Sequence, residues 1–317
     1  MSGFHTGERA LQMRVGVQAQ MAQIGPRVLR DHMPDQHRVF FGLLPFLLVG
    51  SVDAQGQPWA SVVAGAPGFI DSPDARQLRV HAHPLPHDPL NHTLHEGAPL
   101  GLLGIQPHTR RRNRMNGTAS LLADGFGVAV GQSFGNCPRY IQAREPVWTP
   151  SAPAGRVAHE GAVLDEASRQ LIRAADTFFI ATAHPLSERP DEPGHGVDVS
   201  HRGGLPGFVK VEGERLTVPD FAGNQFFNTL GNINLHPLAG LLFMDFERGD
   251  LLYLAARASV LWSGAELASF EGAERLLRLD VTHARRVQGG LPLRWGVAER
   301  SPALEGTGTW PRPGTDQ

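Results

Sequence analysis

The chain repeats itself. Ser61-Val-Val-Ala-Gly-Ala-Pro-Gly-Phe69 and Ser200-His-Arg-Gly-Gly-Leu-Pro-Gly-Phe208 share the pattern S-x-x-[AG]-G-x-P-G-F, 139 residues apart. Gly101-Leu-Leu103 returns as Gly240-Leu-Leu242 at the same offset, and Thr93-Leu94 has a counterpart in Thr229-Leu230 after a small indel. Two matches at one offset, in one order, predict an internal duplication. A period this long is that of a whole domain, not a solenoid repeat. In 317 residues it leaves room for two copies of a domain of ordinary size.

What each copy folds into follows from its punctuation. The chain holds 37 glycines and 25 prolines, which favours many turns and short strands over long helices. Residues 4–33 are mildly amphipathic, with Leu11, Val15, Val17, Met21 and Ile24 at loosely helical spacing. Strands are then expected at 46–52 and 59–63 around the turn Asp53-Ala-Gln-Gly56, the second running on to Phe69-Ile70, and another at 78–81. Residues 88–96 read as a short helix with Asp88 as N-cap and Pro89 in first position. A hairpin at 100–105 and 112–119 and a strand at 127–133 complete the copy. Residues 146–161 have linker composition, and 165–177 read as a helix capped by Asp165. In the second copy residues 185–196 lengthen the first hairpin. The expected layout is an N-terminal helical segment (1–35), a first lobe (36–150), a linker (151–164), a second lobe (165–300) and a tail (301–317).

Several classes of chemistry are set aside. A formal charge of −2 and a pI near 6.7 give no global pull toward nucleic acid or anionic membrane. The apolar stretch 39–50 is broken by Gly42 and Pro45 and falls short of the roughly 20 residues of a spanning helix. No apolar core of signal-peptide length stands near the start, so a cytoplasmic protein that engages neither membrane nor nucleic acid is expected. A single cysteine, Cys137, excludes an intrachain disulfide framework or a multi-thiolate zinc site. The 15 histidines show no metal-binding spacing, and no nucleophile elbow or Walker A sequence is present. The run Arg110-Arg-Arg-Asn-Arg114 alternates, Arg110, Arg112 and Arg114 on one face and Arg111 on the other; a solvated face or interdomain ion pairing is expected.

The second copy carries the richer chemistry. Arg202-Gly203-Gly204-Leu-Pro-Gly-Phe208 places glycines on or beside a strand, where a ligand or a neighbouring backbone must come close, or where a barrel bends. The first copy keeps Gly65 and Gly68 but has Val63 in place of Arg202, so the arginine is specific to one lobe. Downstream, a strand is expected to end at Pro219-Asp220 and a helix to open at Gly223-Asn224, carrying Thr229. Unpaired N–H groups at such a helix start suit a phosphate, with Asn224 and Thr229 as added donors and Arg202 as charge. The same place in the first copy, His83-Pro-Leu-Pro-His-Asp-Pro-Leu90, loses N–H donors to proline and reads as degenerate.

Four stretches resemble the pyridoxamine 5'-phosphate oxidase-like FMN-binding split barrels, in particular the tandem-lobe flavin-nucleotide-binding branch. They are Phe4-His5 with Gly7-Glu8, residues 109–117, Gly135-Asn-Cys-Pro-Arg-Tyr-Ile-Gln142, and residues 198–209 followed by 219–232. The resemblance implies a mainly β fold with a few helices: tandem six-stranded antiparallel split β-barrels forming a pseudo-dimer within one chain, with FMN between the lobes. It places Ser200, Arg202, Gly203 and Gly204 on the strand beneath the flavin, and Asp220, Gly223, Asn224, Phe227 and Thr229 in the phosphate-holding turn. Asn136, Cys137, Arg139 and Tyr140 of the first lobe approach from the opposite wall. The implied activity is that of a flavoprotein oxidoreductase acting on a small-molecule substrate or electron donor, with pairing into a homodimer. A flavin carrier or sensor, or a haem or deazaflavin binder, is the alternative on the same fold. The oxidase's lysine-bearing strand is replaced by Leu205-Pro-Gly207 and its phosphate turn by Gly223-Asn224-Gln225, and its substrate-binding tail has no counterpart near Arg294-Trp295. Pyridoxamine phosphate oxidation itself is therefore not implied.

Overall fold

In the computed structural model, residues 3–149, 155–188 and 194–310 are described. Three helices open the chain: α1 (Thr6–Arg14), α2 (Gln18–Val28) and α3 (Asp35–Gly42). The first begins at a reciprocal cap, Gly7 N donating to His5 Nδ1 (3.1 Å) and His5 N to Glu8 Oε2 (2.8 Å). A sheet follows from β1 (Phe46–Val52), β2 (Pro58–Ala64), β3 (Ile70–Asp71), β4 (Gln77–Val80), β5 (Pro99–Gln106), β6 (Arg111–Leu122) and β7 (Gly125–Gly135), with α4 (Leu90–Thr93) between β4 and β5. Next come β8 (Pro146–Trp148), β9 (Arg156–Gly161) and α5 (Glu166–Ala174). The second sheet holds β10 (Thr177–Ala183), β11 (Val197–Gly203), β12 (Lys210–Glu212), β13 (Arg215–Phe221), β14 (Leu238–Met244), β15 (Leu251–Leu261) and β16 (Ala273–Gln288). It is interrupted by α6 (Asn228–Leu235) and α7 (Ala265–Ala268), and β17 (Leu293–Trp295) pairs with β8.

Hydrogen bonding orders the first sheet β2-β1-β5-β6-β7-β4-β3 and the second β11-β10-β14-β15-β16-β13-β12, with β9 added to β16. Strand for strand this is one antiparallel path traced twice. The register repeats as well: Leu103 opposes Arg114, and Leu242 opposes Tyr253. The protein is mainly β, built as tandem antiparallel split barrels.

Each lobe has its own core, and a third lies between them. Along β1, Leu47 and Val49 join the first-lobe core while Phe46 and Leu48 join the interlobe core. Along β10, Phe178 and Ile180 face the second lobe while Phe179 and Ala181 face the seam. With both faces buried, these strands read as continuous apolar runs instead of alternating ones. The repeated Gly-Leu-Leu motif belongs to this seam. A Cβ at Gly101 would overlap the Val197 carbonyl, and one at Gly240 the Pro58 carbonyl, so each glycine admits the other lobe's edge strand.

Several expectations are corrected. The second strand stops at Ala64, because Phe69 N bonds back to Ala66 O (3.0 Å) and Gly68 takes a positive φ of 95°, so Ile70 pairs instead with Val80. The helix expected at 88–96 is only Leu90–Thr93; Pro89 holds the cap position and Asp88 turns inward. The helix capped by Asp165 ends at Ala174, and Thr177 already opens β10; Asp165 does accept from Ser168 N (2.8 Å). The stretch of linker composition at 146–161 is strand at both ends, and the linker drawn at 151–164 includes β9, because these segments find free edges at β17 and β16. Part of that linker, of the 185–196 insertion and of the tail lies outside the described residues. Each sheet path has seven strands, not six, since the short β3 and β12 add an edge.

Candidate functional site

Every residue singled out from the sequence lines one cleft except Gly204: Ser200, Arg202, Gly203, Asp220, Gly223, Asn224, Phe227 and Thr229 from the second lobe, and Asn136, Cys137, Arg139 and Tyr140 from the first. The cleft encloses about 910 Å³, its solvent-filled mouth included. Gly204 is scaffold. A Cβ there would run into the Phe208 ring, and its carbonyl accepts from Gln142 Nε2 (3.1 Å). The equivalent Gly65 sits under Phe69 in the same way. Gly203 does separate work, because a Cβ at that position would overlap the Tyr140 carbonyl of the first lobe.

The cleft wraps β11, an edge strand of the second sheet that lends residues from both of its faces. On β11, Ser200 and Arg202 lie opposite Ile180 and Phe178, residues of the second-lobe core, while His201 lies opposite Phe179 of the interlobe core. On β6, Arg112 and Arg114 lie opposite Ile105 and Leu103, also interlobe. The basic run is thereby resolved. Arg112 and Arg114 cross toward the second lobe, and Arg111 packs over the Phe40 ring at 5.1 Å on the other face. Arg110 precedes the strand in a left-handed turn (φ 53°) and bonds Ile141 O (3.2 Å) and Glu299 Oε1 (2.8 Å).

At one pole stands the start of α6. It lies four residues later than expected, at Asn228, because Asn224 is engaged elsewhere. Its Oδ1 accepts from Phe226 N (3.2 Å), and its Nδ2 donates to Asn136 Oδ1 of the first lobe (3.1 Å). The loop between them needs left-handed backbone at Gln225 (φ 61°) and Phe227 (φ 64°). The first intrahelical bond is Gly231 N to Phe227 O (2.6 Å), so the N–H groups of Asn228, Thr229 and Leu230 precede it. Beside them Ser200 Oγ and Thr229 Oγ1 lie 2.8 Å apart, and Arg114 donates to Ser200 Oγ and to Asn228 Oδ1 (3.2 Å). Asp198, 3.5 Å from Arg114, balances its charge, and Asn116 and Asn232 donate to that carboxylate (2.9 and 3.2 Å).

The floor is a shared ion pair. Asp220 meets Arg202 through one oxygen and Arg275 Nε through the other (2.9 Å). Arg275 reaches it because its backbone lies directly opposite Asp220 in the β13–β16 register, and its guanidinium covers the Phe227 ring at 5.0 Å. Tyr140 closes the far wall, its hydroxyl donating to Ala222 O (3.0 Å); burial raises its pKa. Five arginines line the cleft (Arg112, Arg114, Arg139, Arg202, Arg275) against one lining carboxylate, Asp220, among the described residues.

Arg112, Arg114, His201, Asn228 and Arg275 are among the cleft residues that motif reading did not assign. Period-two alternation from the basic run pointed to the first two. Nothing local marks Arg275, which arrives through strand register. The N-terminal segment also reaches the site from behind: Asn228 Nδ2 donates to Glu8, and Gln12 Nε2 to Phe226 O (3.2 Å). Burial, reinforced by Asp198, holds the Glu8 carboxyl well above the usual range.

No protein-family model matches the chain, and no curated protein matches it. Solved structures similar to it include a candidate pyridoxamine 5'-phosphate oxidase from Lactobacillus delbrueckii, at 15% identity and a TM-score of 0.29, covering 41% of this chain and 98% of that one. An FAD-binding protein from Mesorhizobium loti is 9% identical with a TM-score of 0.27, over 40% and 96% of the two chains. HutZ, the heme storage protein of Vibrio cholerae, is 12% identical with a TM-score of 0.24, over 44% and 98%. Scores this low add no weight to the site; the fold rests on the twice-traced strand order. Among the described residues no helix is long and apolar enough to cross a membrane.

Proposed function

We propose that the cleft binds FMN and that the chain is a flavin-dependent oxidoreductase acting on a small-molecule substrate or electron donor. The observation that carries this reading is the surplus of donors at the seam. Five arginines face one lining carboxylate, and the buried N–H groups of Arg114 Nε, Arg202 Nε and Asn136 Nδ2 have no protein partner among the described residues. Buried donors without acceptors are costly, and a ligand rich in acceptors satisfies them. Ser200, Thr229, Arg114 and the first N–H groups of α6 would hold the phosphate. Arg202 would lie beside the flavin, with Asp220 and Arg275 fixing its orientation, and Asn136, Cys137, Arg139 and Tyr140 would form the facing wall. When bound, the flavin supplies the hydride or electron transfer; the protein binds it, orients it and excludes water.

Purified protein tests this directly. Flavin absorbance that NADH or NADPH bleaches and air restores supports the oxidoreductase. Flavin that is bound yet inert to every reductant leaves a carrier or sensor. A colourless chain without affinity for added FMN sinks the flavin reading. Arg202→Ala, or Asn224→Ala with Thr229→Ala, should weaken FMN binding by a factor corresponding to about 1.5–3 kcal/mol, whereas Asp88→Ala leaves the affinity of the folded protein unchanged. Equal effects would show that the first lobe is not degenerate.

A second reading, a haem binder, has one observation in its favour: His201 is the imidazole that lines the cleft, and burial, with Arg112 and Arg202 nearby, keeps it neutral. A Soret band in place of flavin bands decides for it.

A further inference from the structure

Arg112 differs from its neighbours in the cleft. Arg114 is balanced by Asp198, and Arg202 and Arg275 share Asp220. Among the described residues Arg112 has no carboxylate partner. Its Nε donates to the Cys137 carbonyl (2.7 Å) and its Nη1 to His201 Nδ1 (3.3 Å), which leaves Nη2 without a protein partner among the described residues. A guanidinium has no lone pair to offer, so His201 Nδ1 must be the acceptor in this contact and the ring proton sits on Nε2. That Nε2–H also lacks a protein partner among the described residues. The two side chains, from β6 of one lobe and β11 of the other, therefore fix each other and present only donors to the cleft.

We propose that the Arg112–His201 pair is a subsite for a carboxylate group of the substrate, separate from the phosphate pole at α6. Donors alone, one of them a planar cationic fork, match a carboxylate. The pair stands away from the phosphate pole: Arg112 lies two residues along β6 from Arg114, roughly 7 Å at the usual strand rise, on the side of the 136–140 wall. Arg112 is half-buried, and a partly desolvated cation without a counter-ion gains from an incoming anion. Burial, followed by Arg114, lowers the Arg112 pKa to about 9, which still leaves it charged at neutral pH. The same geometry weighs against iron at His201, whose Nδ1 is engaged and whose Nε2 carries the proton. The proposal rests on the flavin reading for its chemistry but not for its test.

Benzoate, acetate and oxalate serve as probes, with benzyl alcohol as the neutral analogue. Each is titrated by calorimetry into the FMN-loaded and the FMN-free chain, and in the loaded chain also through the flavin absorbance. At least one carboxylate should bind the wild type, and if it is benzoate, at least tenfold tighter than benzyl alcohol. Arg112→Gln should weaken the carboxylate at least tenfold, a larger loss than any it causes in FMN affinity, Arg112→Lys should restore part of the loss, and His201→Gln should weaken it severalfold. Melting curves show that each variant is folded; should Arg112→Gln fail to fold, the Lys and His201→Gln variants decide. The proposal is overturned if no carboxylate binds the wild type or if Arg112→Gln leaves its affinity unchanged. It is also overturned if the carboxylates compete with FMN and the same substitution weakens both, which would place the pair in the cofactor site. If the wild type binds carboxylate but no FMN, the flavin reading fails and the subsite stands.

Discussion

The two lobes place the same backbone in the same position and use it for opposite ends. Arg114 on β6 and Tyr253 on β15 are counterparts by register, as are Ser200 on β11 and Ser61 on β2. At the first position, arginine, serine and the start of α6 leave a cleft with donors to spare. At the second, Tyr253 donates to Asp88 Oδ2 (2.9 Å), which also accepts from Val62 N (3.2 Å), while Leu90 N donates to Asp88 Oδ1 (2.8 Å). Both side chains are fully buried. One copy keeps its donors for a ligand; in the other, Tyr253 and two backbone N–H groups are satisfied by the Asp88 carboxylate. A duplicated fold thus needs only a few side chains to turn a binding position into part of the core.

That contrast can be broken experimentally. The largest effect is expected at Arg114, where Arg114→Met leaves the buried Asp198 carboxylate without its cation and should cost about 3 kcal/mol or more of stability, read by denaturant unfolding without ligand. A cost near zero would mean that Asn116 and Asn232 alone satisfy Asp198. The second test is pH. Burial raises the Asp88 carboxyl to about 6 in the folded chain. The folded state therefore holds a proton that the unfolded state has released. Its contribution to stability is fully present below about pH 4 and is lost as pH rises through about 6, by about 3 kcal/mol in all. Asp88→Asn should remove that fall from the wild-type stability profile, and an unchanged profile would count against a protonated plug. The smallest effect is expected for Tyr253→Phe, which removes one donor to Asp88. It should cost about 1 kcal/mol and leave FMN binding as it was; a change in FMN affinity would show that the two positions communicate.

Much of the architecture was legible because the repeat is a matter of spacing. The pair Gly101 and Gly240, the pair Phe69 and Phe208, and the hairpin order all follow from one offset. Less legible were places where side chains left their local role. Asp88 looked like a helix cap and does accept from Leu90 N at the start of α4, but its other oxygen is held in the core by Tyr253 of the other lobe. Asn224 looked like a helix start and became a bridge to Asn136. Arg110 to Arg114 read as a solvated face or an interdomain ion pair; Arg114 makes such a pair with Asp198, and which other members cross into the seam was not legible.

By itself the sequence determined the duplication, the β-rich lobes, and the difference between an Arg202 lobe and a proline-bearing one. Those properties lie in residue type and spacing, which act locally along each strand and turn. Only the tertiary structure decided which residues share a cleft. Arg275 reaches Asp220 through strand register, Arg112 reaches His201 across two lobes, and Glu8 reaches Asn228 from the far end of the chain. Contacts of that kind depend on how two sheets pack, and no local pattern encodes them.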